Sequence, residues 1–390
     1  MQVSDADIVI EPVEGKQGRA TFVDLGREFA AREAHSIPQL RSEQLELIDP
    51  EKNPFFGHAT VQLFIACREG KPVGRIAAHI DHLALELPAE QGMGPSTGMF
   101  GYFDAEDENV SRALLSRAEE WLREKGMTRM IGPLSLSIWE EPGLLVKGQD
   151  HPPMIMMGHH PAHYADWIES GDFTVTKRLF TYDLDITSDF PKIVQRIVAS
   201  GERNERIRIR PIEMKRWEEE IRVVLHILND AWSDNWGFVP FTEAEIDHAA
   251  KKMKPIIKPR LNMIAELDGR PVAFMMVLPD INEVLKKVDG RLFPFGWFHL
   301  LRWLRKPMGA GLRVPLMGVL KEFQNSRIAS QLAFMMIEHI RRNALSDYGS
   351  RRSEIGWILD DNKGMIAIAD TIGSSVNREY VIYEKAIGVS

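Results

Sequence analysis

Cysteine is almost missing. Cys67 stands alone among 390 residues, so neither an intrachain disulfide framework nor a cysteine-built zinc centre can form. A basic surplus is missing too: 48 Lys and Arg face 56 Asp and Glu, for a formal net charge of −8. That excludes a general nucleic-acid binder, which must neutralise phosphates, and no nucleic-acid partner is expected. No apolar run reaches the roughly 20 residues of a membrane span. The richest stretch, LFPFGWFHLLRWLRKPMGAGL at 292–312, is broken by Arg302, Arg305, Lys306 and Pro307. The opening MQVSDADIVIEPVEGK is acidic and has no apolar run, so no secretory signal is read and a cytoplasmic location is expected. Also absent are a G-x-S-x-G nucleophile elbow, a Walker loop and a strand-helix G-x-G-x-x-G, and with them the enzyme classes they mark.

What remains is an ordinary globular composition, 44% apolar and 27% charged, on a chain long enough for two cores. The layout occurs twice. Residues 61–80 (VQLFIACREGKPVGRIAAHI) and 262–279 (NMIAELDGRPVAFMMVLP) each read as a strand, a tight Gly-Lys or Gly-Arg turn at Gly70 or Gly269, and a second strand opened by Pro-Val. Residues 99–126 and 316–343 each run from an apolar strand into a long helix, with Gly101 and Gly318 as matching landmarks. Residues 159–186 and 361–387 each give a short helix, a glycine (Gly171 or Gly373) and a last strand. Three landmarks in one order predict a duplicated mixed α/β unit. The polar SGERNE at 200–205 reads as a linker, and the predicted domains are 1–190 and 205–390, the second with an insertion at 281–312.

This order of elements resembles the GNAT superfamily of acyl-CoA-dependent acyltransferases, here as two units in tandem, each a mixed central sheet flanked by helices. The family's central signature is a strand followed by Gln/Arg-x-x-Gly-x-Gly/Ala at a helix start. Here the strand is 313–323, and the signature position reads Gln324, Asn325, Ser326, Arg327, Ile328, Ala329. A helix start exposes unpaired N–H groups and the positive end of the dipole, so it suits a pyrophosphate. Arg327 stands where the family has glycine; its guanidinium either pairs with a phosphate or crowds the turn. The bland alternative is an ordinary turn capped by Asn325 or Ser326. In the first half the same place reads AEDENV at 105–110, whose three carboxylates repel a pyrophosphate. That half is therefore expected to be a degenerate support and one wall of the acceptor groove.

The resemblance implies acetyl-CoA or a longer acyl-CoA as co-substrate and no metal, with Met317, Gly318, Val319, 324–329 and Asn362 as its binding residues. It further implies backbone donors for the thioester carbonyl from a bulged strand at 317–321; Pro315, which cannot donate a ladder bond, favours such a bulge. The family's thiolate-protonating tyrosine, seven residues after Asn362, is here Ala369; the corresponding first-half residue is Trp167. Tyr383 is a candidate substitute, as are Tyr348 and Tyr380. Candidate bases are Asp280 and Glu283, which follow a core strand, and Asp361 at another strand end. Aromatic loops at 53–58 and 235–240 read as core packing or an acceptor wall. His159, His160 and His163 lack the Glu of a metalloprotease helix and read as polar lining. The insertion's apolar helix reads first as a lid or core element, then as a homodimer contact; membrane contact is not expected. The leading expectation is an N-acyltransferase acting on a small-molecule or peptide amine. The rivals are a non-catalytic acyl-CoA-binding scaffold and transfer from another carrier.

Overall fold

The computed structural model describes residues 8–324 and 326–388. The chain begins with β1 (Ile8–Pro12), α1 (Gly15–Arg32), α2 (Arg41–Leu47), β2 (Ala59–Arg68), β3 (Lys71–Asp81), β4 (Thr97–Ala105) and α3 (Glu108–Glu124). It continues through β5 (Arg129–Gly132), β6 (Leu144–Lys147), α4 (Tyr164–Glu169), β7 (Thr174–Asp185), α5 (Lys192–Glu202), β8 (Ile207–Pro211) and α6 (Trp217–Trp232). Next come α7 (Glu243–Met253), β9 (Met263–Leu267), β10 (Arg270–Pro279), α8 (Asn282–Lys287), α9 (Gly296–Arg305) and β11 (Leu312–Val319). The last elements are α10 (Lys321–Gln324), α11 (Arg327–Asn343), β12 (Arg352–Leu359), α12 (Lys363–Thr371) and β13 (Ser375–Ala386).

Two compact units emerge, and neither is one consecutive stretch. The first gathers the chain up to Leu179, Leu285–Leu292 and the residues from Arg378 on; the second gathers Phe180–Val284 and Phe293–Asn377. The chain passes from the first to the second inside β7 and returns inside β13, so the units do not follow a cut between 190 and 205. Nor is 200–205 a free linker throughout: α5 runs to Glu202, because Val194, Val198 and Gly201 bury one face, and a Cβ on Gly201 would collide with Met335 Sδ at 2.2 Å.

In the first unit the strands run β1-β2-β3-β4-β5, and the end of β13 closes on β5 with Tyr383 opposite Gly132. In the second they run β8-β9-β10-β11-β12, with the end of β7 beside β12. β4 with β5 and β11 with β12 pair in parallel, while β1-β2-β3-β4, β8-β9-β10-β11 and β5 with β13 pair antiparallel. Both hairpins form as the sequence indicates, one residue earlier than read. The turn residues are Glu69-Gly70 and Asp268-Gly269, all at positive φ, and the strands resume at Lys71 and Arg270. Positive φ at both central positions gives the turn whose twist matches that of the strands.

Candidate functional site

Each unit has one place where its sheet opens. In the second, β11 pairs with β12 only at Leu312, Arg313 and Val314, opposite Ser353, Glu354 and Ile355. Beyond Val314 the two strands part. On its other side β11 stays with β10, and between Met276 and Leu278 the register shifts, leaving Val314 and Pro315 opposite Val277 alone. A bulge is present at Val314 and Pro315, before the 317–321 stretch that the resemblance implies, and beyond it β11 has backbone groups that β12 does not meet.

The strand is shorter than read. β11 stops at Val319, and residues from Lys321 to Gln324 already form a helical turn. Asp230 Oδ2 accepts the Lys321 N–H at 2.8 Å. The Gln324 amide does not point away from the protein: its Nε2 donates to the carbonyls of Ala231 (3.0 Å) and Val319 (2.9 Å), tying the turn to α6 and β11. Ser326 caps α11, with Oγ accepting from Ala329 N at 3.3 Å and donating to Phe323 O at 2.6 Å. Arg327 is exposed on the first helical turn, and Asn325 lies outside the described residues. Besides Ala329 N, the first turn carries the N–H groups of Arg327 and Ile328, for which no acceptor is found among the described residues. Met317 gives its carbonyl to Trp232 Nε1 at 2.9 Å, while Gly318 sits opposite Phe274 and Val319 opposite Ala273.

Below the opening lies an apolar pocket of about 570 Å³, counted to its mouth, between the sheet and the helices α11 and α12. Met275, Val314 and Met317 line it from the sheet, Ile337 from α11, and Ile368 and Ala369 from α12. Ala369 is therefore a wall of open space, where a tyrosine ring would stand in the family pattern. Asn362 caps α12, its Oδ1 accepting from Met365 N at 3.1 Å.

The structure does not gather the sequence-derived acid and bases. Asp280 is buried and its Oδ1 accepts from Asn282 N at 3.2 Å; Glu283 Oε1 accepts from Gly311 N at 2.8 Å. Both hold the root of the insertion. Asp361 is exposed after β12, and the helix cap is Asn362 rather than Asp361. Tyr383 belongs to the first unit, where its hydroxyl lies 3.1 Å from Glu169 Oε1. Burial, and then Glu169, push its phenol up, against the direction that would favour easy proton exchange.

Sequence reasoning also missed a buried pair. Arg313 and Glu354 are register partners on adjacent parallel strands, both fully buried. The guanidinium donates to the Gly356 and Val314 carbonyls and lies 5.2 Å from the centre of the Trp357 ring. A charge inside a strand carries no sequence signal that separates it from a solvated one.

The first unit repeats the opening and fills it. β4 pairs with β5 only at Thr97, Gly98 and Met99. There the following segment folds back: Leu134 N donates to Phe100 O at 2.7 Å, and Tyr102 N donates to Ser135 Oγ at 2.8 Å. The acidic turn is committed as well, since Asp107 caps α3 through Val110 N and pairs with Arg68 at 2.8 Å. Nearby, Leu145 N donates to His160 Nδ1 at 3.1 Å, which leaves Nε2 to carry the proton towards Glu141 Oε1 at 3.3 Å. Burial alone would raise Glu141; the His160 hydrogen bond, helped by the Arg75 charge, outweighs it and holds the carboxyl low. His163 stacks on Trp167, with ring centres 4.3 Å apart. Among the described residues no cluster of three or more His, Cys, Asp or Glu is arranged to hold a metal ion.

No protein-family model matches the chain. Among solved structures, a tandem GNAT protein from the clavulanic acid biosynthesis pathway superposes with a TM-score of 0.56 at 12% identity, over 98% of this chain and 100% of that one. A GCN5-related N-acetyltransferase from Sphaerobacter thermophilus does so at 0.51 and 11% identity, over 97% and 96%. At such identities these show the fold. Sequence relatives go further: the chain is 42% identical over 386 residues to the bacterial ceramide synthase of Caulobacter vibrioides, covering 98% of this chain and 99% of that protein. It is 38% identical over 362 residues to the protein YghO of Escherichia coli K12, covering 90% and 88%. The chain thus belongs to the family of the Caulobacter bacterial ceramide synthase, a family of acyltransferases on the tandem GNAT fold.

Proposed function

We propose that this protein is an acyl-CoA-dependent N-acyltransferase that joins a long acyl chain to the amino group of a long-chain amino alcohol, giving an amide of the ceramide class. The apolar pocket beneath the β11–β12 opening carries this reading. Its walls are methionine and aliphatic side chains suited to methylenes. Ala369 in place of a tyrosine exchanges a hydroxyl for apolar room. The name of the Caulobacter relative supplies the product class.

In this reading Ser326, Arg327, Ile328 and Ala329 at the start of α11 hold the pyrophosphate, Arg327 as the pairing cation and the first-turn N–H groups as donors. Met317, Gly318 and Val319 run alongside the thioester arm, and backbone donors of β11 beyond Pro315 stabilise the oxyanion. Gln324 and Asn362 frame that turn and the pocket. The co-substrate supplies an activated acyl carbonyl. The acceptor nitrogen attacks it, the C–N bond forms, the C–S bond breaks, the amine loses a proton and the thiolate gains one. Asp361, exposed at the end of β12, is the proposed proton acceptor, ahead of Asp280 and Glu283, which are engaged with backbone. This reading keeps the expectation of a cytoplasmic location.

The test is thiol release and amide mass with the purified full chain, acyl-CoAs of two to eighteen carbons and a long-chain amino alcohol. Turnover should rise with acyl length. Ala369→Tyr should lower kcat/KM for the sixteen-carbon donor by at least ~tenfold, about 1.4 kcal/mol, while sparing acetyl-CoA. Binding without thiol release across the panel would favour the non-catalytic acyl-CoA-binding scaffold. No binding at all would end both readings.

A further inference from the structure

The insertion between β10 and β11 presents an apolar surface that the second unit leaves open. Phe293 is 82% exposed, Phe295 73%, Phe298 54%, Met308 54% and Leu301 52%. On α9, Trp297, Leu301 and Phe298 fall within an arc of about 100°. Arg305 continues that arc one turn on, and Arg302 stands at its edge. Leu300, Trp303 and Leu304 lie on the adjoining arc and are half-buried, and Lys258 Nζ donates to Leu304 O at 2.5 Å, which ties the helix to the unit. Scattered exposed leucines need no explanation; this many large apolar side chains on one short segment do.

Charge identifies the occupant. Between Asp289 and Glu322 the sequence has no carboxylate side chain, in a chain whose net charge is −8. Arg302, Arg305 and Lys306 make no ion pair among the described residues, while most other arginines of the protein do. A second copy docking by the same face would set these cations against their own equivalents. A bilayer bearing anionic headgroups meets both halves of the surface at once: Phe and Trp enter the interfacial layer, and Arg and Lys reach phosphates beside it.

We infer that residues 293–308 dock this protein on the surface of an anionic phospholipid bilayer, without crossing it. The sequence reading as a lid gives way because a lid would bury Phe293, Phe295 and Phe298. No helix of the described residues is long and apolar enough to span. Docking does not depend on the proposed chemistry, and its test needs no turnover.

The experiment is co-sedimentation of the full chain with vesicles of phosphatidylcholine, with and without about 30% phosphatidylglycerol. Binding should require the anionic lipid and weaken several-fold as salt rises from roughly 0.05 to 0.5 M. The triple variant Trp297→Ser, Phe298→Ser, Leu301→Ser should lower the vesicle partition coefficient at least ~30-fold, with its thermal midpoint unchanged because these side chains are exposed. Arg302→Glu with Arg305→Glu should remove the preference for anionic lipid. Failure of the wild-type chain to bind, or binding untouched by both variants, overturns the inference. So does a concentration-dependent dimer, seen by light scattering, that the triple variant dissociates.

Discussion

In the first unit β4 leaves β5 after Met99, and in the second β11 leaves β12 after Val314, yet the two openings end differently. In the first, Leu134 and Ser135 bond the freed backbone of Phe100 and Tyr102, so the gap is closed by the chain's own next segment. In the second, β12 runs on to Leu359, and an apolar pocket remains beneath. The strand pairs that precede the openings differ in the same sense: Gly98 faces Met130 in one, Arg313 faces Glu354 in the other. A parallel pair that parts creates a vacancy; the residues downstream decide whether it becomes core or site.

The largest effect should come from the buried pair. Arg313→Met takes a buried positive charge from beside the buried Glu354 and should cost about 3–5 kcal/mol in denaturant unfolding, whereas Arg313→Met with Glu354→Met should recover most of it. Equal losses in the single and double variants would show that the carboxylate is not what the arginine balances. Next are the two strand glycines. A Cβ on Gly101 would lie 1.9 Å from the Leu134 carbonyl, and one on Gly318 2.8 Å from the Phe274 ring. Backbone yields less readily than a ring edge, so Gly101→Ala should destabilise by ~2–3 kcal/mol and Gly318→Ala by about half that. Reversal of that order in urea titrations would mean that the Leu134 plug is soft.

The last test reads the plug from beneath, through pH. His79 is fully buried, and burial, opposed weakly by the Leu136 backbone, lowers its pKa from 6.5 to about 3. The unfolded chain then binds this proton first, so the contribution is intact above pH ~6.5 and is lost as pH falls towards 3, at ~1.4 kcal/mol per unit. His79→Phe should flatten the stability profile over that window by up to one proton. An unchanged slope would place the acid sensitivity elsewhere.

Much of this was legible in the sequence, for reasons tied to particular residues. The hairpins announce themselves because Gly70 and Gly269 occupy turns that need positive φ, and Pro315 marks β11 because proline cannot donate to a ladder. The anchoring of Gln324 was not legible, since its acceptors, Ala231 and Val319, are brought together only by the fold. Ala369 was noticed as a missing acid; only the walls around it turn the absence into space. The folding back of Leu134 and Ser135 was hidden in a stretch that reads as plain loop. The exposure of Phe293 and Phe295 could not be known, because apolar composition alone favours burial.

The return of the chain through β13 has a consequence for synthesis. Val381, Tyr383 and Ile387 belong to the core of the first unit, together with Phe64 and Phe100. A ribosome delivering ~5–20 residues per second makes these roughly 10–40 s after β7 emerges, with the second unit's strands in between. The first unit therefore closes only after the second unit's strands have been made, and loss of Arg378–Ile387 should leave the first-made half unable to complete its sheet.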